Sequence, residues 1–163
     1  MSKYFLGLLL VFSLQLKAQD EEKKEITRVL DGWHMAAAIA DYEAYFSKMT
    51  SDGVFIGTDA EENWSVEAFK AFSKPYFDQG KAWSFAALER HIYLSEDGSY
   101  AWFDELLDTW MQLCRGSGVL RKEGGQWKIA HYVLSMTVPN DNANEIIALK
   151  KEKETEQKEK IKQ

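Results

Sequence analysis

Two adjacent acidic residues, Asp104 and Glu105, lie inside an apolar segment that runs from Tyr100 to Trp110. The segment is typical of a β-strand, in which neighbouring side chains point to opposite faces of the sheet. One of the two carboxylates is therefore expected to face the interior, where it must be paired, protonated or in contact with water. A carboxyl group in such a place is a candidate general acid or base.

Strand parity selects Glu105 as the inward acid. The odd positions between Ala101 and Met111 are mostly apolar, whereas the even positions carry Asp104 and Asp108 between tryptophans. We therefore expect Glu105 to face a pocket that raises the pKa of its carboxyl group. Asp104 is expected to be exposed or paired across strands. The alternative is that Glu105 pairs with a nearby arginine or histidine and has a structural role.

Three histidines are candidate partners for this carboxylate, and each lies on a different predicted element. His131 is in the middle of a strand, on the more apolar parity. His34 is near the edge of the apolar face of the first helix, and His91 is in the first long strand. A histidine that faces Glu105 would form an acid–base pair; the alternative is a core histidine with one hydrogen bond. The catalytic candidates are Glu105, His131 and His34.

Motifs for metal binding and for hydrolase or nucleotide chemistry are missing from the sequence. The three histidines have neither His-x-His nor His-x-x-x-His spacing. No Gly-x-Ser-x-Gly, P-loop or dinucleotide fingerprint occurs either. We expect no metal and no cofactor.

Arg115 and several aromatic residues are the candidates for ligand binding. Two glycines follow Arg115 and would let the backbone approach a ligand closely. Arg115 could hold a substrate carboxylate or pair with Glu105 or Asp104. Some of the six tryptophans must be in the core, and one or two are expected to line a pocket for a flat or apolar ligand. The ligand-binding candidates are Trp33, Trp64, Asp104, Arg115 and Tyr132.

The predicted elements have the order of an α+β fold. Helical spacing of apolar residues predicts one long helix over residues 19–49. A turn is predicted at 51–53 and a short strand at 54–56. Ser65 is expected to cap a second helix, which Pro75 bends or ends and Gly80 stops. Long strands are predicted over 83–94, 99–113 and 127–138, with an Asp97-Gly98 hairpin turn and a bulge or bend at residues 115–118.

Residues 1–19 have the features of a secretory signal peptide. A positive charge at Lys3 precedes an apolar run from Tyr4 to Leu14, and a cleavage site is expected near Ala18. The run is too short to span a membrane comfortably, so we expect an exported protein, periplasmic or secreted. The domain is predicted over residues 20–142, followed at 143–163 by a charged tail that is helical or disordered.

Charge and cysteine content exclude further classes. The formal net charge is −6, and loss of the two lysines of the signal peptide would make it −8. An acidic exported protein is not expected to bind nucleic acid or, after signal cleavage, a membrane. Cys114 is the only cysteine, so no intrachain disulfide forms, and a buried apolar role is expected for it.

Five segments together resemble the SnoaL-like branch of the nuclear transport factor 2-like superfamily, over about residues 22–142. They are residues 33–38, 55–60, 101–105, 115–120 and 127–135. Many relatives carry an arginine immediately before the tryptophan that follows the first short strand. Here Asn63 precedes Trp64, so the chain lacks that arginine.

The resemblance implies a cone, in which a strongly curved antiparallel sheet wraps around the N-terminal helices and encloses a central pocket. It also implies a homodimer formed through the sheet. It does not imply one reaction, because the superfamily contains isomerases, cyclases, dehydratases and proteins that only bind or assemble. We favour binding of a small apolar or aromatic ligand, with Glu105, His131 and Arg115 as polar anchors. The alternatives are a cofactor-free isomerase, cyclase or dehydratase that uses Glu105, and a structural dimer.

Overall fold

A computed structural model describes the backbone of residues 2–162 and the side chains of residues 17–162, so most of the predicted signal peptide lies outside the described side chains. Four α-helices, six β-strands and a short 3-10 turn are formed by the described residues. The helices are α1 (Ser2–Ala38), α2 (Tyr42–Ser47), α3 (Val66–Asp78) and α4 (Ala143–Ile161), and the turn is Asn140–Asn142. The strands are β1 (Met49–Ile56), β2 (Asn63–Ser65), β3 (Ala86–Leu94), β4 (Tyr100–Thr109), β5 (Gln112–Glu123) and β6 (Gln126–Met136).

The six strands form one curved sheet with the order β2-β1-β6-β5-β4-β3. All neighbours are antiparallel except β1 and β6, which are parallel. Helices α1, α2 and α3 lie against the inner face, where Ile26, Leu30 and Trp33 of α1 are buried among inward side chains of the sheet. The predicted α+β class, with a curved sheet around N-terminal helices, is therefore confirmed.

The first helix ends at Ala38, whereas the sequence predicted that it would continue to Met49. Ala40 has a φ of +56°, which no α-helix allows, so the chain changes direction there. The side chain of Asp41 then accepts a hydrogen bond from the Ala44 N–H at 2.9 Å and begins α2. The predicted single helix is therefore two helices with a tight connection.

The predicted turn at residues 51–53 is wrong, because these residues belong to β1, whose pairing with β6 is irregular between Met49 and Val54. Ser65 caps α3 as predicted, and its hydroxyl accepts from the Ala68 N–H at 3.2 Å. Pro75 does not end α3, which continues to Asp78.

The β3–β4 hairpin forms around Asp97-Gly98 as predicted, with Leu94 opposite Ala101. The next strand ends at Thr109, earlier than predicted, and the chain reverses at residues 110–111 before β5. Residues 115–118, predicted to bulge or bend, are a regular part of β5. Their glycines instead make room for inward side chains: a Cβ on Gly116 would lie 2.3 Å from the Tyr132 hydroxyl oxygen.

The charged tail forms α4, in which no side chain is buried. Among the residues that the structure describes, none of the helices combines the length and apolar character that a bilayer span requires.

Candidate functional site

Strand β4 carries Glu105 on its buried face and Asp104 on its outer face, as parity predicted. Burial alternates along the strand, with Ala101, Phe103 and Leu107 on the same side as Glu105. The Glu105 side chain has no exposed surface, whereas that of Asp104 is 34% exposed. The two neighbouring acids therefore have different environments.

Three side chains hold the Glu105 carboxylate. Nε2 of His34 lies 2.7 Å from Oε1, and the Tyr132 hydroxyl donates to the same oxygen at 3.1 Å. Arg90 donates through Nε to Oε2 at 2.8 Å, and its Nη2 lies at the same distance from that oxygen. Both carboxylate oxygens are thus occupied, and the group is sealed inside the domain.

The pKa of Glu105 is lowered, so the sequence-based expectation of a raised pKa is wrong. Burial by itself raises the pKa of this carboxyl group, but the hydrogen bond and charge of His34 and the charge of Arg90 outweigh that effect. The carboxylate is therefore ionised at neutral pH and has no surface from which to accept a substrate proton. The alternative that Glu105 pairs with an arginine or a histidine therefore agrees with the structure better than the interpretation of Glu105 as a general base.

Arg90 extends this network to the first helix. Its Nη1 lies 2.7 Å from Asp31 Oδ1 and donates to the Thr27 carbonyl at 3.5 Å. Thr27, Asp31 and His34 follow at helical spacing, so one side of α1 is fastened to β3 and β4 through charged groups. The network ties the helix layer to the sheet.

Arg90 was not among the predicted site residues, although the sequence contains a signal for it. Residues at equal distances from a hairpin turn face each other, and Arg90 and Glu105 both lie seven residues from Asp97-Gly98. The turn, which was recognised, therefore predicts that Arg90 is the cross-strand neighbour of Glu105.

His131 lies on the opposite face of the sheet from Glu105, so the predicted pairing of these two residues is wrong. In the β5–β6 ladder Val119 faces His131 but Leu120 faces Ile129, which leaves Ala130 as an extra residue. Such a bulge reverses the alternation of side chains beyond it.

As a result Tyr132, the next residue after His131, faces inward and is fully buried. Burial, followed by the nearby charge of Glu105, raises the pKa of Tyr132 well above its usual value. Tyr132 was predicted to bind ligand, and the structure instead places its hydroxyl on Glu105.

The outer face of the sheet carries a second polar group around Asp104. Its carboxylate lies 3.1 Å from Nδ1 of His91 and 3.5 Å from Nη1 of Arg115. His91 also lies 3.3 Å from Glu89. Arg115 therefore pairs with Asp104, one of the alternatives left open by the sequence, and is not next to Glu105.

Trp33 belongs to the core and does not line a pocket. It is buried, stacks on Tyr45 at a centroid distance of 4.8 Å and meets the Tyr132 ring edge-on at 4.7 Å. Trp64 on β2 is half-buried and packs against Phe72 at 4.6 Å. Much of the interior in which the resemblance implied a pocket is occupied by aromatic rings.

A cleft of about 160 Å³ lies between the end of β1, α3, the loop before β3 and the β4–β5 turn. Its lining residues are Phe55, Gly57, Thr58, Glu62, Phe69, Phe72, Trp83, Phe85, Trp110, Met111 and Leu134. Phe85 also contacts the His34 ring at a centroid distance of 6.2 Å. The cleft is thus separated from the His34–Glu105 pair by one aromatic ring.

Metal ligands do not cluster in the part of the chain that the structure describes, where no group of three histidine, cysteine or acidic side chains is placed to hold an ion. Cys114 is buried and lies 3.5 Å from the Thr109 hydroxyl.

The fold is that of the nuclear transport factor 2-like proteins. A "putative dehydratase" of this family from Streptomyces avermitilis superposes with a TM-score of 0.65 at 14% identity, covering 74% of this chain and 99% of that one. A family member of unknown function from Pseudomonas putida gives 0.60 at 18% identity, covering 73% and 89%. The association domain of C. elegans calcium/calmodulin-dependent protein kinase II also gives 0.60 at 18%, covering 73% and 98%. These likenesses show the fold.

Within this fold the chain belongs to the SnoaL-like domain family, whose model matches residues 26–139. The match lies inside the domain predicted over residues 20–142. No curated protein sequence matches the chain.

Proposed function

We propose that this domain binds a small molecule, about one ring in size, in the cleft between β1, α3 and the β4–β5 turn. The observation that carries the proposal is the cleft itself, with a volume of about 160 Å³ and mainly apolar and aromatic walls. An apolar cavity of roughly 150 Å³ is large enough for benzene. The ligand is therefore expected to be much smaller than a steroid or a polyketide.

Thermal unfolding with a panel of one-ring compounds, such as phenol, benzyl alcohol and indole, tests this proposal. A ligand at a hundred times its Kd stabilises the folded state by about 2.7 kcal/mol, which raises Tm by roughly 5–10 °C. Met111→Trp, which fills the cleft, should abolish the shift, whereas Leu113→Trp outside the cleft should preserve it. A panel without any shift, or a shift that survives Met111→Trp, contradicts the proposal.

The bond between His34 and Glu105 favours a second function, proton transfer on a small carbonyl compound. A carboxylate that holds one ring nitrogen of a histidine leaves the other nitrogen for acid–base work. His34 is 5% exposed and contacts Phe85, so this function requires Phe85 to move aside for the substrate. In this arrangement His34 is the acid or base and Glu105 orients it, in contrast to the role that the sequence suggested for Glu105. The reaction classes are those of an isomerase, a cyclase or a dehydratase.

Deuterium exchange next to the carbonyl of small ketones, followed by NMR, measures such proton transfer. His34→Gln should remove exchange, and His91→Gln on the outer face should not. Equal exchange rates in both variants would rule out His34 as the proton carrier. The dehydratase name of one structural neighbour supports the class only by analogy.

Self-association through the outer face of the sheet is also proposed. Tyr93 and Trp102 stack there at 5.8 Å and are 45% and 49% exposed, next to the pair of Asp104 and Arg115. Similarity to an association domain agrees with such a contact. Trp102→Lys should lower the mass measured by light scattering to that of a monomer, whereas Tyr76→Lys on α3 should leave it unchanged. A monomeric unsubstituted protein contradicts this proposal.

Export is the remaining proposal, and it rests on the signal-like residues 1–19. Mass spectrometry of the protein recovered from outside the cytoplasm should find an N-terminus near Gln19. Recovery of the intact chain from the cytoplasm alone contradicts export.

A further inference from the structure

More than half of the residues that line the cleft are aromatic. Six of its lining residues are aromatic, namely Phe55, Phe69, Phe72, Trp83, Phe85 and Trp110. Trp110 is 78% exposed, at the β4–β5 turn, although an indole of that size is normally buried at least in part. Phe72 is also exposed at the surface. Aromatic rings grouped around one small volume are the arrangement with which proteins hold quaternary ammonium groups.

One carboxylate, that of Glu62, lines the same cleft. Its Oε2 accepts a hydrogen bond from the Asp59 N–H at 3.1 Å. A Cβ on Gly57 would lie 2.1 Å from that oxygen, so the glycine provides the space in which the carboxylate sits. The position of Glu62 is therefore fixed by the loop between β1 and β2.

Glu62 is the one carboxylate that lines the cleft, and no salt bridge of the described residues involves it. Glu105, Asp104 and Asp52 each form a salt bridge with an arginine. Among the described residues that line the cleft, none is a lysine or an arginine. A cationic ligand would supply the missing partner, whereas an anionic ligand would meet only the negative charge of Glu62.

We infer that the ligand of this cleft is a small organic cation whose head is a quaternary ammonium group; this inference rests on the proposed ligand binding. Each cation–π contact contributes about 0.5–2 kcal/mol, more as the cation loses water. A quaternary head has methyl groups at its surface and no N–H donors, so it suits aromatic walls better than a primary amine does. The formal charge of −6 also attracts cations.

Titration calorimetry of the full chain with choline and with 3,3-dimethyl-1-butanol tests the inference. The two compounds have the same shape, because carbon replaces nitrogen in the second, and only choline is charged. Choline should bind at least about tenfold more tightly, since that factor corresponds to roughly 1.4 kcal/mol. Equal or tighter binding of the neutral alcohol overturns the inference and leaves the proposed function standing.

Variants separate the contributions of charge and aromatic walls. Glu62→Gln should weaken choline binding several-fold and leave the neutral alcohol unaffected, which also verifies that the cleft is intact. Trp110→Leu should weaken choline more than the alcohol, and Glu61→Gln, in the same loop but outside the cleft lining, should change neither. An unchanged choline affinity in Glu62→Gln and Trp110→Leu, or no choline binding at all, refutes the inference. If the one-ring compounds also fail to bind, the proposed function falls with it.

Discussion

Replacement of Glu105 by glutamine tests the buried network more directly than any other change. The amide has nearly the same shape as the carboxylate but carries no charge, and one of its ends can only donate hydrogen bonds. Arg90, which is 8% exposed, would lose its inner counter-ion and keep only Asp31. His34 and Tyr132 share Oε1 and Arg90 binds Oε2, so the amide NH2 group must face either Arg90 or the other two side chains. The substitution therefore removes an acceptor from a buried partner without creating a cavity.

The expected loss is about 3 kcal/mol in the free energy of unfolding. Removal of one member of a buried ion pair costs roughly 3–5 kcal/mol, and the remaining contact of Arg90 with Asp31 places the loss near the lower end. The neighbouring substitution Asp104→Asn is a matched control, because it makes the same chemical change on the same strand. Asp104 and its partner Arg115 are both partly exposed, so that loss should be about 0–1 kcal/mol.

Urea denaturation of both variants at pH 7 measures the difference, and Tm for Glu105→Gln should fall by roughly 6–12 °C. The pH dependence is a second readout. Because folding lowers the pKa of Glu105, its contribution is complete above the unfolded pKa of roughly 4.3 and is lost as the pH falls through the folded pKa. The difference in the free energy of unfolding between the unsubstituted protein and Glu105→Gln should therefore narrow below about pH 4.

Two results would refute this reasoning. If Glu105→Gln and Asp104→Asn differ by less than about 0.5 kcal/mol, the buried pair does not contribute net stability, as happens where desolvation balances attraction. If Glu105→Gln lowers the free energy of unfolding by the same amount at pH 3 and at pH 7, Glu105 is not the group whose ionisation is linked to folding.

Four further predictions concern packing and the tail. Gly116→Ala should lower the free energy of unfolding, measured by urea denaturation, by about 1–3 kcal/mol. The reason is that the new methyl group would lie 2.3 Å from the Tyr132 hydroxyl oxygen. Gly32→Ala in α1, where the nearest atom is the movable end of Lys48, should raise the same free energy by about 0.5–1 kcal/mol. Tyr132→Phe should cost about 0.5–1.5 kcal/mol in the same assay through the lost hydrogen bond to Glu105, and no loss would mean that this bond is not formed in solution. Deletion of residues 143–163 should leave the urea midpoint nearly unchanged, since no side chain of α4 is buried, and a large drop would show that the helix packs on the domain.

The sequence predicts the class of fold and the inward position of Glu105, and both predictions depend on regular alternation. Along β4 no residue interrupts the period of two, so parity assigns every side chain to the correct face. Along β6 the extra residue Ala130 reverses the alternation, so strict parity assigns His131 to the wrong face. A bulge depends on how two strands meet, which the spacing within one strand does not record.

The interior site shows a related limit. His34 was proposed as a partner of Glu105 and is found there, because α1 crosses the strand that carries the acid. The expectation that Glu105 is an unpaired base with a raised pKa was wrong, because the pKa depends on charges that several separate elements bring together. Arg90 could have been derived from the hairpin, but the contact of Asp31 with Arg90 depends on helix packing that no local pattern specifies.

The fastening of α1 to β3 and β4 has a consequence for the order in which the chain acquires structure. His34 and Glu105 are 71 residues apart, and Thr27 and Arg90 are 63 residues apart. The helix is synthesised first, yet Trp33 packs against Tyr132 of β6 and His34 bonds to Glu105 of β4, so neither is enclosed until those later strands have formed. A chain exported from its N-terminus would thus expose the apolar face of α1 to chaperones until those strands have followed.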